Sequence, residues 1–310
     1  MALAAAVPVS NERIEKLQIS CPVCGSNNYT VTYTPKVEIL DPPSLYGAAS
    51  GVRGTQTLVT CNDCALLYEN PRYSEDVILS GYRAAKEHGH DSQHELRMAS
   101  FFSALKSLSS HLPPPGSTVL DIGTAGGAFL DAAGKFGYEA YGLEPSQYLV
   151  AQGQKRGLKI FEGTTSENNM KGQKFDMVCL WDVLEHVVDP VQVLKDIRQF
   201  LKPGGTLLIN YPDIGTWQAK LAGERFWWLL SVHLTHFSPK TLKKLAQVTG
   251  YQPILFKPYW QTLELGYLGK MAAHLGIPLA SFTLKLMPDW LKRIKVPYYA
   301  SQTTTLFKVQ

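Results

Sequence analysis

The sequence predicts an α/β protein in which a mostly parallel sheet with helices on both faces follows a small β-rich unit. From Ser117 onward, apolar strand-like runs alternate with helical segments, which is typical of parallel strands joined by crossover helices. Within this part, LDIGTAGGAFL at 120–130 has the pattern of a strand, a tight glycine turn and a helix N-terminus. Two C-x-x-C pairs and alternating strand patterns before residue 70 predict the small unit.

Proline-rich stops and changes of composition divide the chain. PPPG at 113–116 ends a helical segment and marks the start of the main domain. We expect a flexible tail at 1–16, a β-rich unit at 17–70, a helical linker at 71–116 and the α/β domain at 117–310. Within that domain, we expect an apolar, proline-broken helical insert at 261–300. Within the linker, EHGHDSQH at 87–94, with His88, His90 and His94, predicts a polar loop before the helix rather than a second metal site.

The elements of the main domain follow from local patterns. Short apolar runs bounded by glycine or proline indicate strands, and apolar residues at helical spacing indicate helices. The predicted strands are 117–121, 139–144, 158–162, 174–180, 204–212, 252–260 and 302–309. The predicted helices are 127–136, 146–156, 189–201 and 238–250. Upstream, Met98, Phe101 and Leu105 recur at helical spacing, which predicts helical structure over 73–112.

Composition limits the class of protein. The 310 residues are 45% hydrophobic and 18% charged, with a net charge of +4, so a sizeable core is expected and a nucleic-acid partner is not. No run approaches the roughly 18 apolar residues that a membrane-spanning helix needs. The apolar N-terminal stretch lacks a basic leading segment and is broken by Pro8, unlike a signal peptide. We therefore expect a soluble, cytoplasmic protein.

The glycine turn predicts a ligand site. The spacing of Gly123, Gly126 and Gly127 is not the G-x-G-x-x-G of nicotinamide-binding proteins. Asp121 precedes the turn and Glu144 ends the next strand, so a parallel sheet brings both carboxylates to the edge where ligands bind. Glu144 is placed to accept hydrogen bonds from ribose hydroxyls, and Asp121 to lie near a cationic group. S-adenosylmethionine fits this pair better than a pyrophosphate, and the alternative is a tight turn without a ligand.

Two further motifs follow in order along the chain. FDMVCLWDVLEHVVDP at 175–190 is a buried strand followed by polar side chains, and LKPGGTLLI at 201–209 is a glycine turn followed by another buried strand. Together with LDIGTAGG and GLEPS, they resemble the class I S-adenosylmethionine-dependent methyltransferases over about 117–258. The resemblance implies a Rossmann-like sheet of seven strands with the last antiparallel. Ala125 departs from the family, in which many members have a glycine there.

The resemblance also implies which residues contact the cofactor. Thr164, in GTT at 163–165, would lie near the adenine, and Trp181 would lie near the sulfur. Arg97 is a candidate partner of the methionine carboxylate, and the alternative is an ordinary exposed arginine. The implied cofactor set is Asp121, Gly123, Thr124, Gly127, Glu144, Pro145, Thr164, Trp181, Asp182 and Arg97.

The cysteine pairs CPVC and CNDC predict a structural zinc site. Four thiolates, from Cys21, Cys24, Cys61 and Cys64, can surround Zn²⁺ at about 2.3 Å. The alternative is a redox dithiol. A redox site needs only one C-x-x-C pair, placed at the start of a helix, whereas this sequence has two pairs and neither starts the helix of a βαβ unit. CNDCALLYENPRYSEDVILSGY, starting at Cys61, also resembles the zinc-binding N-terminal region of a methyltransferase branch that acts on sugars and other small metabolites.

Methyl transfer to a hydroxyl or a C–H acid needs a base as well as alignment of donor and acceptor. LEHV supplies Glu185 and His186, and SVHLTHFSP supplies His233 and His236. The second segment also resembles the family, where such histidines line the acceptor side. We rank His236 and His233 ahead of His186 and assign no single base.

An aromatic segment and the insert indicate the kind of acceptor. Trp227 and Trp228, in RFWWLLSVHL, are expected to roof the acceptor pocket, and core packing is the alternative. With the apolar insert at 261–300, they favour an acceptor with apolar or ring surface. A small-molecule acceptor is expected, such as a sugar nucleotide, a glycolipid precursor or a secondary metabolite, and peripheral membrane contact stays open.

Three other functions are weaker alternatives. An RNA methyltransferase would use the zinc ribbon to hold RNA, but residues 17–70 contain few Lys or Arg. A nicotinamide oxidoreductase could use YRAAK, from Tyr82 to Lys86, but this motif precedes the glycine turn instead of following it. A non-catalytic zinc-ribbon interaction protein would not need the complete set of cofactor motifs.

Overall fold

The fold is given by a computed structural model that describes residues 15–37, 51–84, 94–170, 172–274 and 279–309. Most of the expected N-terminal tail lies outside the described residues, as do His88 and His90. Among the described residues, no helix is both long enough and apolar enough to cross a membrane.

Seven strands form the main sheet. They are β4 (Thr118–Ile122), β5 (Glu139–Glu144), β6 (Ile160–Glu162), β7 (Phe175–Trp181), β8 (Leu201–Pro212), β10 (Tyr251–Glu264) and β11 (Lys295–Val309). Their order is β10-β11-β8-β7-β4-β5-β6. The strands from β4 to β8 pair in parallel, whereas β11 runs antiparallel to both β8 and β10. This confirms the predicted doubly wound, mostly parallel sheet with an antiparallel last strand.

Helices cover both faces of this sheet because side chains of the central strand alternate between the faces. On β7, Met177 and Cys179 pack with α2 (His94–Leu108) and α3 (Ala128–Phe136) in one core. Val178 packs in a second core with α5 (Pro190–Ile197) and α7 (Pro239–Thr249). The remaining helices are α1 (Glu75–Ala84), α4 (Gln147–Lys155), α6 (Trp217–Ala222), α8 (Leu265–His274), α9 (Ala280–Leu286) and α10 (Asp289–Lys292).

The last two strands are longer than the sequence predicted. β10 continues to Glu264 and β11 begins at Lys295, and the added segments pair with each other as a two-stranded ribbon. The helices of the insert therefore lie between residues 265 and 292, inside the wider limits expected. The ribbon mixes polar and apolar residues on partly exposed backbone, so it lacks the continuous apolar run of a buried strand.

The small sheet has four strands in the order β1-β2-β3-β9. β1 (Tyr29–Tyr33), β2 (Leu58–Cys61) and β3 (Leu67–Glu69) belong to the predicted N-terminal unit. The fourth, β9 (Thr235–His236), comes from the segment after β8 and pairs antiparallel with β3. Side chains of the small sheet, such as Tyr68, are in the same core as Phe237. The small sheet therefore shares a strand and a core with the main domain.

Candidate functional site

A cavity of about 700 Å³ opens at the carboxyl ends of β4, β5 and β7. Glu144 and Thr164 line one part of it, and Glu185, His186 and His233 line another. Helices α1 and α2 also contribute lining residues. In open parallel sheets this edge is where ligands bind, so the cavity is the candidate site.

The glycine turn after β4 has a left-handed backbone at three positions. The φ angle is +68° at Gly123, +48° at Ala125 and +80° at Gly127. A Cβ at Gly123 would lie 2.8 Å from a methyl of Val183, and one at Gly127 would contact a methyl of Leu158, so these side chains would have to shift. The left-handed backbone at both positions favours glycine independently of that space. Ala125 adopts the conformation that glycine prefers, without being glycine.

Two backbone amides hold the Glu144 carboxylate. Ala125 N–H donates to Oε2 and Ser146 N–H donates to Oε1, both at 2.9 Å. Glu144 is buried and lines the cavity. A carboxylate has about four acceptor positions, so both oxygens can also accept hydrogen bonds from a ligand. The two amides thus hold both carboxylate oxygens of Glu144 in place at the cavity wall.

Asp121 is the most isolated carboxylate of the turn. It is 3% exposed, and Oδ1 has no hydrogen-bond partner in the part of the chain that the structure describes. Burial, with a smaller contribution from the charge of Glu144, raises the pKa of Asp121 to about 8, against the opposing effects of a hydrogen bond from Thr124 and the charge of Arg97. Asp121, Arg97 and Thr124 line a narrow recess beside the cavity, which is suited to a small cationic group.

Trp181 is the last residue of β7, and Asp182 follows it. Asp182 accepts hydrogen bonds from Asn210 Nδ2 at 2.7 Å and from Gln302 Nε2 at 2.6 Å. Burial raises the pKa of Asp182 to about 6, and Arg97 opposes this. The Trp181 ring packs against aromatic rings on α2, α3 and β10, and its Nε1 lacks a partner among the residues described. Both side chains line the cavity.

Three histidines cluster at another wall of the cavity, which His186 and His233 line and behind which His236 lies in β9. The His186 and His233 rings are 4.7 Å apart and nearly perpendicular, and His233 lies 6.1 Å from His236. Trp228 stacks on His233, and its carbonyl oxygen lies 2.7 Å from His233 Nδ1. Burial lowers the pKa of His233 to about 4 and that of His236 to about 3. Both imidazoles are therefore neutral at physiological pH.

Most of the predicted site residues meet at this cavity and its recess, and a few do not. Among the described residues, His236, Gly127 and Trp227 do not line either space. His236 lies in β9, Gly127 precedes α3, and Trp227 Nε1 donates to the Ala300 carbonyl. The residues that do line the cavity or recess are Arg97, Asp121, Gly123, Thr124, Glu144, Pro145, Thr164, Trp181, Asp182, Glu185, His186, His233 and Trp228.

The four predicted cysteine ligands form a separate cluster in the small sheet. Their sulfur atoms lie within 4.8 Å of one another, with 3.5 Å between Cys21 and Cys64 and between Cys24 and Cys61. Tetrahedral Zn²⁺ with Zn–S bonds of about 2.3 Å places sulfurs about 3.8 Å apart. The spacing and the all-thiol donor set fit that ion.

Residues 90–255 match the family described as a methyltransferase domain. The chain belongs to this family. The match covers more than half of the chain and includes the glycine turn, the Glu144 strand end and the histidine wall. It confirms the family resemblance seen in the sequence.

Relatives of this methyltransferase domain include ubiquinone biosynthesis O-methyltransferases. The protein of that name from Cereibacter sphaeroides is 37% identical over 111 residues, which are 34% of this chain and 45% of the relative. The one from Dinoroseobacter shibae is 29% identical over 178 residues, which are 52% of this chain and 72% of the relative. The chain thus spans less than half the length of the Cereibacter relative.

Solved structures similar to this methyltransferase domain include a possible histamine N-methyltransferase from Thermotoga maritima. The two chains are 21% identical, with a TM-score of 0.48, over 71% of this chain and 93% of the other. A putative methyltransferase from Bacillus halodurans is 13% identical, with a TM-score of 0.45, over 67% of this chain and 96% of the other.

The sequence did not reveal the residues that hold Asp182 in place. Asn210 lies within β8 and Gln302 lies within β11, and their side-chain amides both donate to one carboxylate oxygen of Asp182. A polar residue within the apolar run LLINYP was the available signal. In the methyltransferase domain these amides fix Asp182 at the cavity wall.

Proposed function

We propose that the protein transfers a methyl group from S-adenosylmethionine to a small-molecule acceptor. The observation that carries this proposal is the single cavity that joins the Glu144 strand end to the histidine wall. A cofactor bound along the part of the cavity near Glu144 would present its methyl group toward the histidine wall. Bound S-adenosylmethionine supplies a methyl group activated by the positive sulfur.

The cofactor side offers a matching set of polar groups. Glu144 would accept hydrogen bonds from the ribose hydroxyls, and Thr164 would lie beside the adenine. Asp121, a buried carboxylate with an unpartnered oxygen, would face the cationic part of the methionine, and Arg97 would face its carboxylate. Trp181 and Asp182 would limit the space around the sulfur. An orphaned anion is favourable next to a cationic ligand and costly without one.

The acceptor side combines aromatic and basic groups. His233 holds its proton on Nδ1 if it donates to the Trp228 carbonyl, which leaves Nε2 with a lone pair. Such an imidazole can orient an acceptor hydroxyl or take its proton. Trp228 and Tyr259 add ring surface to the cavity wall, which favours an acceptor with a ring or an apolar part. A sugar nucleotide, a glycolipid precursor and a secondary metabolite all fit this description.

We also propose that Cys21, Cys24, Cys61 and Cys64 hold one structural Zn²⁺. Four protein ligands leave no position for a substrate, so the ion would fix the two turns of the small sheet without taking part in the chemistry. This supports a division of the chain into a zinc ribbon at 17–70, a helical linker at 71–116 and a methyltransferase domain that carries the insert.

Two measurements test the proposed function. Calorimetry should detect binding of S-adenosylmethionine and S-adenosylhomocysteine, with NAD as the control ligand. Release of S-adenosylhomocysteine should then be followed over a panel of sugar nucleotides, lipid-linked sugars and ring-bearing hydroxyl compounds. Binding of NAD without binding of either S-adenosyl compound would overturn the proposal.

A further inference from the structure

We propose that Glu185, His186 and His233 bind a divalent transition-metal cation at the wall of the cavity. They offer one carboxylate oxygen and two imidazole nitrogens, and these ligand atoms lie within 4.8 Å of one another. All three residues line the cavity. This site is distinct from the cysteine cluster in both position and donor chemistry.

The first observation is that the Glu185 carboxylate is buried without a partner among the described residues. Glu185 is 2% exposed, and neither of its carboxylate oxygens has a hydrogen-bond partner within the described ranges. Its position is fixed, because the backbone amides of Leu234 and Thr235 both donate to the Glu185 carbonyl. A buried carboxylate with no partner is costly, and buried charges are normally paired or coordinate metals. A cation between Glu185 and the two imidazoles would supply the missing partner.

The hydrogen bonds of the imidazoles are the second observation. The Nδ1 of His233 lies 2.7 Å from the Trp228 carbonyl oxygen, and the His186 ring hydrogen-bonds to the backbone of Val232. Histidines that bind metals commonly donate their other ring N–H to a backbone carbonyl, which fixes the ring and leaves one lone pair for the ion. Both rings of this pair meet that description.

Neighbouring Asp182 does not belong to this group of ligand atoms. Its carboxylate accepts hydrogen bonds from Asn210 and Gln302 and is therefore held by the sheet. Two imidazoles and one carboxylate are ligands typical of Zn²⁺, Fe²⁺ or Co²⁺. Three protein ligands leave further coordination positions open, and the cavity is the space that they would face.

The open positions give the ion a role toward the acceptor. With the ion bound, the Nε2 lone pair of His233 would serve as a ligand and not as a base. An acceptor oxygen could occupy an open position and be oriented by the cation, which also makes a hydroxyl more acidic. This role rests on the proposed function, whereas cation binding itself does not. This role of the ion favours acceptors in which a hydroxyl oxygen is the methylated atom.

Cobalt titration of the full-length, zinc-containing protein tests the site. Co²⁺ bound to nitrogen and oxygen ligands gives visible absorption bands without the thiolate charge-transfer band that the cysteine cluster would produce. We expect one Co²⁺ per chain of this kind, with an unchanged zinc content. Glu185→Gln should weaken Co²⁺ binding by roughly tenfold or more. Glu75→Gln, at another carboxylate lining the cavity, should leave it unchanged.

Thermal unfolding provides a second measurement. Added Co²⁺ should raise the unfolding temperature of the wild type but not that of Glu185→Gln. If that variant does not fold, His233→Asn takes its place in both measurements. Absence of nitrogen- and oxygen-bound Co²⁺ in the folded wild type, or equal binding by a folded variant, would overturn the site. S-adenosylmethionine affinity, measured on the same samples, reports on the proposed function separately.

Discussion

Asp121 should lose a proton when S-adenosylmethionine binds. Its carboxyl is buried, one oxygen is unpartnered, and burial raises its pKa to about 8. At pH 7, a group with a pKa of about 8 is about 90% protonated. The cationic groups of the cofactor would stabilise the ionised form, so binding should release about 0.9 proton per chain at this pH. Between pH 6 and 7, cofactor affinity should therefore rise nearly tenfold.

Calorimetry in two buffers measures this proton directly. The binding enthalpy at pH 7 should differ between phosphate and Tris by about 0.9 of the difference in their ionisation enthalpies. Asp121→Asn should remove most of that difference. Asp182, with a pKa of about 6, is about 10% protonated at pH 7 and adds at most about 0.1 proton. Equal enthalpies in the two buffers for the wild type would refute the reasoning, as would an unchanged difference in Asp121→Asn.

Three other changes give separate tests. Glu144→Ala should weaken S-adenosylmethionine binding by about 1.5–3 kcal/mol, because hydrogen bonds to a charged group are lost, and calorimetry with similar affinities for both proteins would contradict this. His233→Ala should lower turnover by roughly 10²–10⁴-fold. His236→Ala, a change outside the cavity lining, should lower turnover clearly less in the same assay. A larger loss of turnover in His236→Ala than in His233→Ala would indicate that His236 is the base. Removal of zinc by chelation, followed by elemental analysis, should lower turnover more than cofactor affinity, because the small sheet contacts the histidine segment through β9. Full turnover without zinc would exclude that coupling.

The position of Asp121 and Glu144 at one edge of the sheet, where we propose that the cofactor binds, was predictable because its signals are local. A strand, a glycine turn and a carboxylate at the next strand end lie within 25 residues of sequence, and the parallel sheet brings Asp121 and Glu144 to one edge. The cysteine pairs were predictable for a similar reason, because each pair lies in one turn. In both cases the spacing in the chain already contains most of the geometry.

The arrangement of the histidines, which we propose as the acceptor side, was less predictable because it depends on long-range strand pairing. β9 has two residues, too few for any periodicity, and its pairing with β3 turns His236 into the small sheet while His233 lines the cavity. The Glu185 carboxylate and the His233 ring also meet across nearly fifty residues of chain. No local pattern specifies such contacts, which depend on how the segment after β8 returns across the sheet.

The shared strand has a practical consequence for exchanging parts between relatives. A shortened chain beginning at residue 71 would keep the main sheet and α2 but would leave the backbone groups of Thr235 and His236 without β3 and would remove the Tyr68 side of the core around Phe237. An open strand edge beside an exposed aromatic ring invites association with other chains. A chimera that replaces the zinc ribbon at 17–70 with that of another protein should therefore replace residues 230–237 at the same time. The two segments form a single recombination unit although they are far apart in the sequence.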